Sequence, residues 1–282
     1  MKRRRLVRWA VALVLPVAAG CSLFVSLGDL QNGGAADAGD AAVADAIIEA
    51  SDSGCPSGKG PAMVNLSYGY CIDSTEVSQA QYQTFLDAIT AGYVPPTPPR
   101  CDWNPTYTQP TDGWCVTHAD DPVACANWCD AYAFCEWAGK HLCGLVGGGA
   151  LPAVDAAVDP STSAWAKACT ANNAHDYSYG STYEPVCNVP EADGGGLDLD
   201  ATLPVGSESM CQGPPGVYDL VGNASEWINA CDENDAGFND NCAHLGGAAG
   251  DPYHRTCVAL DWDIRSFQEQ VGYAQGFRCC SP

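Results

Sequence analysis

Gly216-Val217-Tyr218-Asp219-Leu220-Val221-Gly222-Asn223-Ala224-Ser225-Glu226-Trp227 sets two carboxylates, Asp219 and Glu226, on either side of a Gly-Asn turn. Val217, Leu220, Val221 and Trp227 give both flanks an apolar side to bury. A glycine turn can keep backbone carbonyls out of helix and strand ladders, because glycine reaches dihedrals that interrupt both. Carboxylates and free carbonyls are the hard oxygen ligands of which calcium takes roughly six to eight. Nothing in the stretch offers the sulfur or imidazole that zinc prefers. The plainer reading of the same residues is an acidic surface turn followed by a packed aromatic.

These twelve residues closely resemble the signature of the formylglycine-generating enzyme (sulfatase-modifying factor) family, in which the stretch is a calcium site. The resemblance implies that the side chains of Asp219 and Glu226 and the carbonyls of Gly222 and Ala224 hold calcium. Other landmarks of that family occur in the family's order. They are the block 71–85, the block 122–142, Tyr177-Ser178-Tyr179-Gly180, Cys187-Asn188-Val189, Leu203-Pro204-Val205-Gly206-Ser207, Leu245-Gly246-Gly247-Ala248 and Gln275-Gly276-Phe277-Arg278-Cys279. Spread over residues 63–280, they imply an α+β, C-type-lectin-like domain, disulfide-rich and with much irregular chain. A second calcium site of the family would lie between Asn188 and Asp198 or Asp200; the register is poor, and an exposed acidic loop is the reading adopted.

The N-terminus carries its own message. Lys2, Arg3, Arg4 and Arg5 precede an apolar run to Ala19 that ends in Ala18-Ala19-Gly20-Cys21. A basic start, a short apolar stretch and small residues before a cleavage point read as a secretory signal, 1–20, too short for a comfortable membrane span. Cysteine directly after Ala-Ala-Gly resembles a bacterial lipoprotein box and implies acylation of Cys21. Ser22 beside it resembles the pattern of outer-membrane lipoproteins of Gram-negative bacteria. The alternative is an ordinary signal with Cys21 in a disulfide. Residues 21–54 are rich in Ala, Gly and Asp and cannot bury enough to offset their ordering entropy, so they are expected to be a disordered tether. The folded domain is expected over 55–282.

Seventeen cysteines is an odd number for an exported chain, and lipid on Cys21 leaves sixteen to pair. Their density implies an oxidising compartment; their connectivity does not follow from spacing. Removal of residues 1–20 leaves seven basic residues against 34 acidic ones, a formal charge of −27. Such a chain is a poor partner for nucleic acid or anionic headgroups, so contact with a membrane is expected only through the lipid anchor.

Local signals place the elements. Strands are expected at 63–66 and 68–73. Ser78, with Gln81 three residues on and Val77 against Tyr82, starts a helix whose buried stripe continues through Phe85, Leu86 and Ile89. A second helix runs from the cap Asn127 to Gly139, with Trp128, Ala131, Tyr132, Cys135 and Ala138 on one face. Residues 92–114 read as irregular chain. Where the family continues with a threonine- and glutamate-rich helix start, Cys143-Gly144 opens a glycine-rich insertion, and the helix resumes at 164–169.

The family's oxidase activity resides in two copper(I)-binding cysteines, the first four residues after the second glycine of the Gly-Gly landmark. Here that place is Asp251, a hard oxygen donor, and only Cys257 stands between the landmarks. Copper is therefore not expected. His254 is read as a loop residue. The histidines show no zinc-enzyme spacing, and no Gly-x-Ser-x-Gly elbow or phosphate loop is present. Two hypotheses follow. The first is a non-catalytic, calcium-stabilised, lipid-anchored envelope module binding protein, peptide or glycan. The second is a copper-dependent envelope oxidoreductase using Cys257 as catalytic thiol with a second, non-standard one.

Overall fold

Ser78 and Asn127 do what their side chains predict. Ser78 accepts from the Gln81 amide while Gln81 returns a bond to the Ser78 amide, and α1 runs Gln79–Thr90. Asn127 and Asp130 close the same reciprocal box on α2, Trp128–Trp137, and Gly139 ends it at φ +73°. Ser163 caps the short α3, Ala164–Cys169. The computed structural model describes residues 54–109, 115, 118–189, 202–232, 240–251, 256–264 and 274–282. The signal, the tether, Cys21, Asp198, Asp200 and His254 lie outside them.

Two four-stranded sheets organise the described chain. In the first, β1 (Met63–Leu66) and β2 (Tyr70–Asp73) form an antiparallel hairpin; β8 (Cys279–Ser281) pairs with β2, and β3 (His141–Leu142) closes the order β1-β2-β8-β3. The second strand begins two residues later than expected, because Gly69 at φ +87° donates its amide to the Leu66 carbonyl and makes the turn. The second sheet, β6-β5-β4-β7, joins β4 (Ser225–Cys231), β5 (Asn241–Leu245) and β6 (Asp261–Ile264) in antiparallel fashion, with β7 (Gln275–Gly276) parallel to β4. Phe277 and Arg278, both fully buried, carry the chain from β7 in one sheet to β8 in the other.

One core cluster gathers Trp165, Ile72, Val217, Leu220, Ile228 and Leu245. Another sets Tyr82, Phe85 and Phe134 against Trp227 and Phe277, with Tyr82 stacked on Phe134 at 5.9 Å between centroids. α2 departs from the one-sided expectation. Cys129, Ala133, Phe134 and Trp137 are buried as well, and the expected core residue Tyr132 is only partly so. A helix apolar all round belongs inside. Trp128 Nε1 donates to the Ile228 carbonyl on β4 at 2.9 Å on one side, while Phe134 meets Phe85 of α1 on the other.

Eight disulfides join Cys55–Cys71, Cys101–Cys129, Cys115–Cys125, Cys135–Cys279, Cys143–Cys280, Cys169–Cys257, Cys187–Cys211 and Cys231–Cys242. They use every cysteine of the chain except Cys21. Such a set fits an oxidising, exported setting. No helix among the described residues is long and apolar enough to cross a membrane.

Candidate metal site and the cysteine at 257

The Gly-Asn turn is held from every side. Gly222 sits at φ +80° with its amide on the Gly246 carbonyl, and a Cβ there would lie 2.5 Å from the Asn188 carbonyl oxygen. Asn223 is the hub. Its amide donates to the Asn188 carbonyl, its Oδ1 accepts from the Leu203 amide at 2.8 Å, and its Nδ2 donates to Glu76 Oε1 at 3.0 Å. Three landmarks distant in sequence therefore meet at one amide side chain.

Glu226 follows the turn into β4 and is fully buried. Arg278 grips both of its oxygens, Nε to Oε2 and Nη2 to Oε1, each at 2.7 Å. Trp165 Nε1 adds a third donor to Oε2, also at 2.7 Å. Nη1 donates to the Asp73 carbonyl and Nη2 also to the Tyr218 carbonyl. A bidentate guanidinium pair is among the strongest hydrogen-bonded arrangements a carboxylate makes. Glu76 and Asp219 complete the cluster. Burial raises the Glu76 carboxyl well above its usual range, and the neighbouring Asp219 charge adds to this. Burial raises Asp219 as well, against a hydrogen bond from the Gly206 amide at 2.5 Å and the pull of Arg278. Asp73 is pushed up to about 6 by burial, although Lys140 Nζ stands 2.6 Å from its Oδ1.

Calcium can be tested against this donor set. Of the expected ligands Asp219, Gly222, Ala224 and Glu226, the last accepts from a guanidinium and an indole N–H, and Asp219 accepts from the Gly206 amide. Arg278 supplies the positive charge that the buried Glu226 requires, and calcium on Asp219, Gly222, Ala224 and Glu226 stays an expectation of the resemblance. The sequence did not single out Arg278 or Glu76, although both lie inside quoted landmarks.

Cys257, the candidate catalytic thiol, is fully buried and bonded to Cys169 at the end of α3. This corrects the alternative reading: a half-cystine offers no thiolate, and its partner belongs to the core. Asp251 is buried with its amide on the Ala248 carbonyl.

Residues 22–281 match the family described as the sulfatase-modifying factor enzyme 1-like domain. The chain belongs to that family. This sulfatase-modifying-factor-like chain is also similar to three solved structures. One is titled the crystal structure of CarF, with 22% identity over 76% of this chain and 86% of that one, at a TM-score of 0.48. Another is PvdO from Pseudomonas aeruginosa, with 20% identity over 75% and 80% at 0.47. The third is the Treponema denticola variable protein 1, with 18% identity over 79% and 94% at 0.45. No curated protein matches the family member described here. Membership accounts for the α+β architecture and the large share of irregular chain.

Proposed function

We propose that the chain is an exported, lipid-tethered member of the sulfatase-modifying factor family that binds a ligand rather than oxidising one. The observation that carries this reading is the bond between Cys257 and Cys169, which removes the one thiol between the two closing landmarks. Asp251 supports it, a hard donor where the resemblance puts a soft copper ligand. Cys21 supports the tether, because the eight bonds leave it alone outside the paired set. The folded part is braced by the ion pairs around Arg278 and by its disulfides, and calcium on the Gly-Asn turn would add to them.

Alkylation of the unfolded, unreduced protein followed by mass analysis tests the reading. No cysteine from 55 to 280 should take up label, and the N-terminal fragment should carry acyl chains on Cys21. Two labelled cysteines together with copper(I) uptake would return the chain to the oxidoreductases.

A further inference from the structure

A cleft of about 470 Å³ opens between the β1–β2 hairpin, the loop that follows α3 and the turn at Gly213. That volume is within the range of small-molecule sites, about 300–1,000 Å³. Val64, Leu66 and Tyr68 form one wall and Pro214 and Pro215 contribute to the other. No Asp, Glu, Lys or Arg is among the described residues that line it, in a chain with 34 acidic residues. A charged ligand would find no counter-charge there.

Two of the lining residues bring polar atoms that have no hydrogen-bond partner, His175 Nδ1 and Ser178 Oγ. Ser178 is 2% exposed. Buried polar atoms are normally satisfied, so such a pair beside a cleft has bonding capacity that a hydroxyl group entering from the cleft would meet. Both are rigidly presented. The His175 amide donates to the Thr170 carbonyl, Cys257 donates to the Asp176 carbonyl, and Tyr177 and Gly180 exchange backbone bonds around Ser178. The approach to His175 passes through Ala171, Asn172 and Asn173, three successive non-glycine residues at φ +48°, +60° and +68°. Backbone in this region is held only when its surroundings enforce it, and it concentrates at binding sites.

An aromatic ring, two prolines and neutral donors and acceptors, with no carboxylate, ammonium or guanidinium among the described lining residues, complement one ligand chemistry. We propose that this cleft binds a neutral saccharide unit, its C–H face against Tyr68 and its hydroxyls on Ser178 and His175. The proposal rests on the binding role above and names its site and ligand class. Saturation-transfer NMR on the full chain, with the methyl pyranosides of glucose, galactose, mannose and N-acetylglucosamine and their β-linked disaccharides as probes, tests it. At least one probe should show transfer. Its affinity should fall at least ten-fold in Tyr68→Ala and in Ser178→Ala. The serine variant removes an unpartnered hydroxyl and should melt no lower than the parent. Transfer from none of the probes, undiminished binding in both variants, or preference for the matching glucuronide would overturn the assignment. A free-thiol count on the same preparation keeps the two readings apart. Free thiols would sink the non-catalytic role and leave the cleft standing, whereas silent probes with every thiol paired would sink the cleft alone.

Discussion

Arg278 lies 2.7 Å from Glu226 with Glu76 and Asp219 close enough to act on its charge, so three carboxyl groups share one buried guanidinium. Glu76 Oε1 accepts from Asn223, and the Glu76 side chain meets that of Asp219, a contact two carboxyl groups can make only by sharing a proton. The cluster therefore favours a proton on Glu76. A carboxyl raised in the folded state contributes its full stability below its ordinary value of 4.5, and that contribution is lost as pH rises through the raised value. Stability of the parent should accordingly decline from about pH 5 upward, with Asp219 acting in the same direction. Glu76→Gln keeps the acceptor for Asn223 and fixes the neutral state. The variant should match the parent at pH 4 and melt higher at pH 8; equal melting curves at both would contradict the shared-proton picture. Arg278→Met leaves Glu226 buried without its partner, a loss of about 3–5 kcal/mol, and adding Glu226→Gln should recover part of it. Urea midpoints of the two variants measure both effects. A chelator tests the calcium expectation at pH 7: a fall in melting temperature that Asp219→Asn abolishes would establish the metal site, and an unchanged melting temperature would leave the charge balance to Arg278 alone.

At the scale of single elements, the helix ends are the most exposed to test because their bonds are few and local. Asn127 is fully buried, and its partner Asp130 also accepts from Asn104 Nδ2 at 2.7 Å, so this box ties the irregular chain before it to α2. Asn127→Ala should cost about 2 kcal/mol, the upper end for caps, and Ser78→Ala about 1, read as shifts of the urea midpoint at constant slope. Equal losses would mean that Asn104 adds nothing. These two helices were legible in sequence because the capping residue, its partner three positions on and the terminal Gly139 all lie within one short window. β4 and β7 were not legible as partners. Ser225 faces Gln275 across a parallel pair fifty residues away, and no periodicity within either strand encodes that register. The guanidinium on Glu226 was not legible for the same reason: Asp219 and Glu226 are neighbours in sequence, but Arg278 arrives from 52 residues downstream. The cleft beside Ser178 was unreadable too, since its walls come from three separate segments.

For the molecule as a whole, the last strand in sequence occupies an inner place in its sheet. β8 pairs with β2 on one side and β3 on the other, so the first sheet cannot close until the C-terminus arrives. Two disulfides secure that arrival, Cys135–Cys279 and Cys143–Cys280, closing separations of 144 and 137 residues. Cys115–Cys125 closes only 10. A cross-link that restricts the unfolded chain contributes more as its loop lengthens, about 5 kcal/mol for a loop near 140 residues against about 3 for one near 10. Ordinary domains have about 5–15 kcal/mol in total, so the long bonds are a large share of what keeps β8 in place. Cys143→Ala with Cys280→Ala should therefore lower the melting temperature by clearly more than Cys115→Ala with Cys125→Ala. Cys280 faces Ile72 and His141 across its two neighbours, so the longer loss should also loosen amide protection along β2 and β3 while β4 and β5 stay protected. Hydrogen exchange separates this outcome from uniform weakening. Equal losses of melting temperature, or protection lost evenly across both sheets, would mean that packing around Phe277 and Arg278 holds the C-terminal strand without help from its bonds.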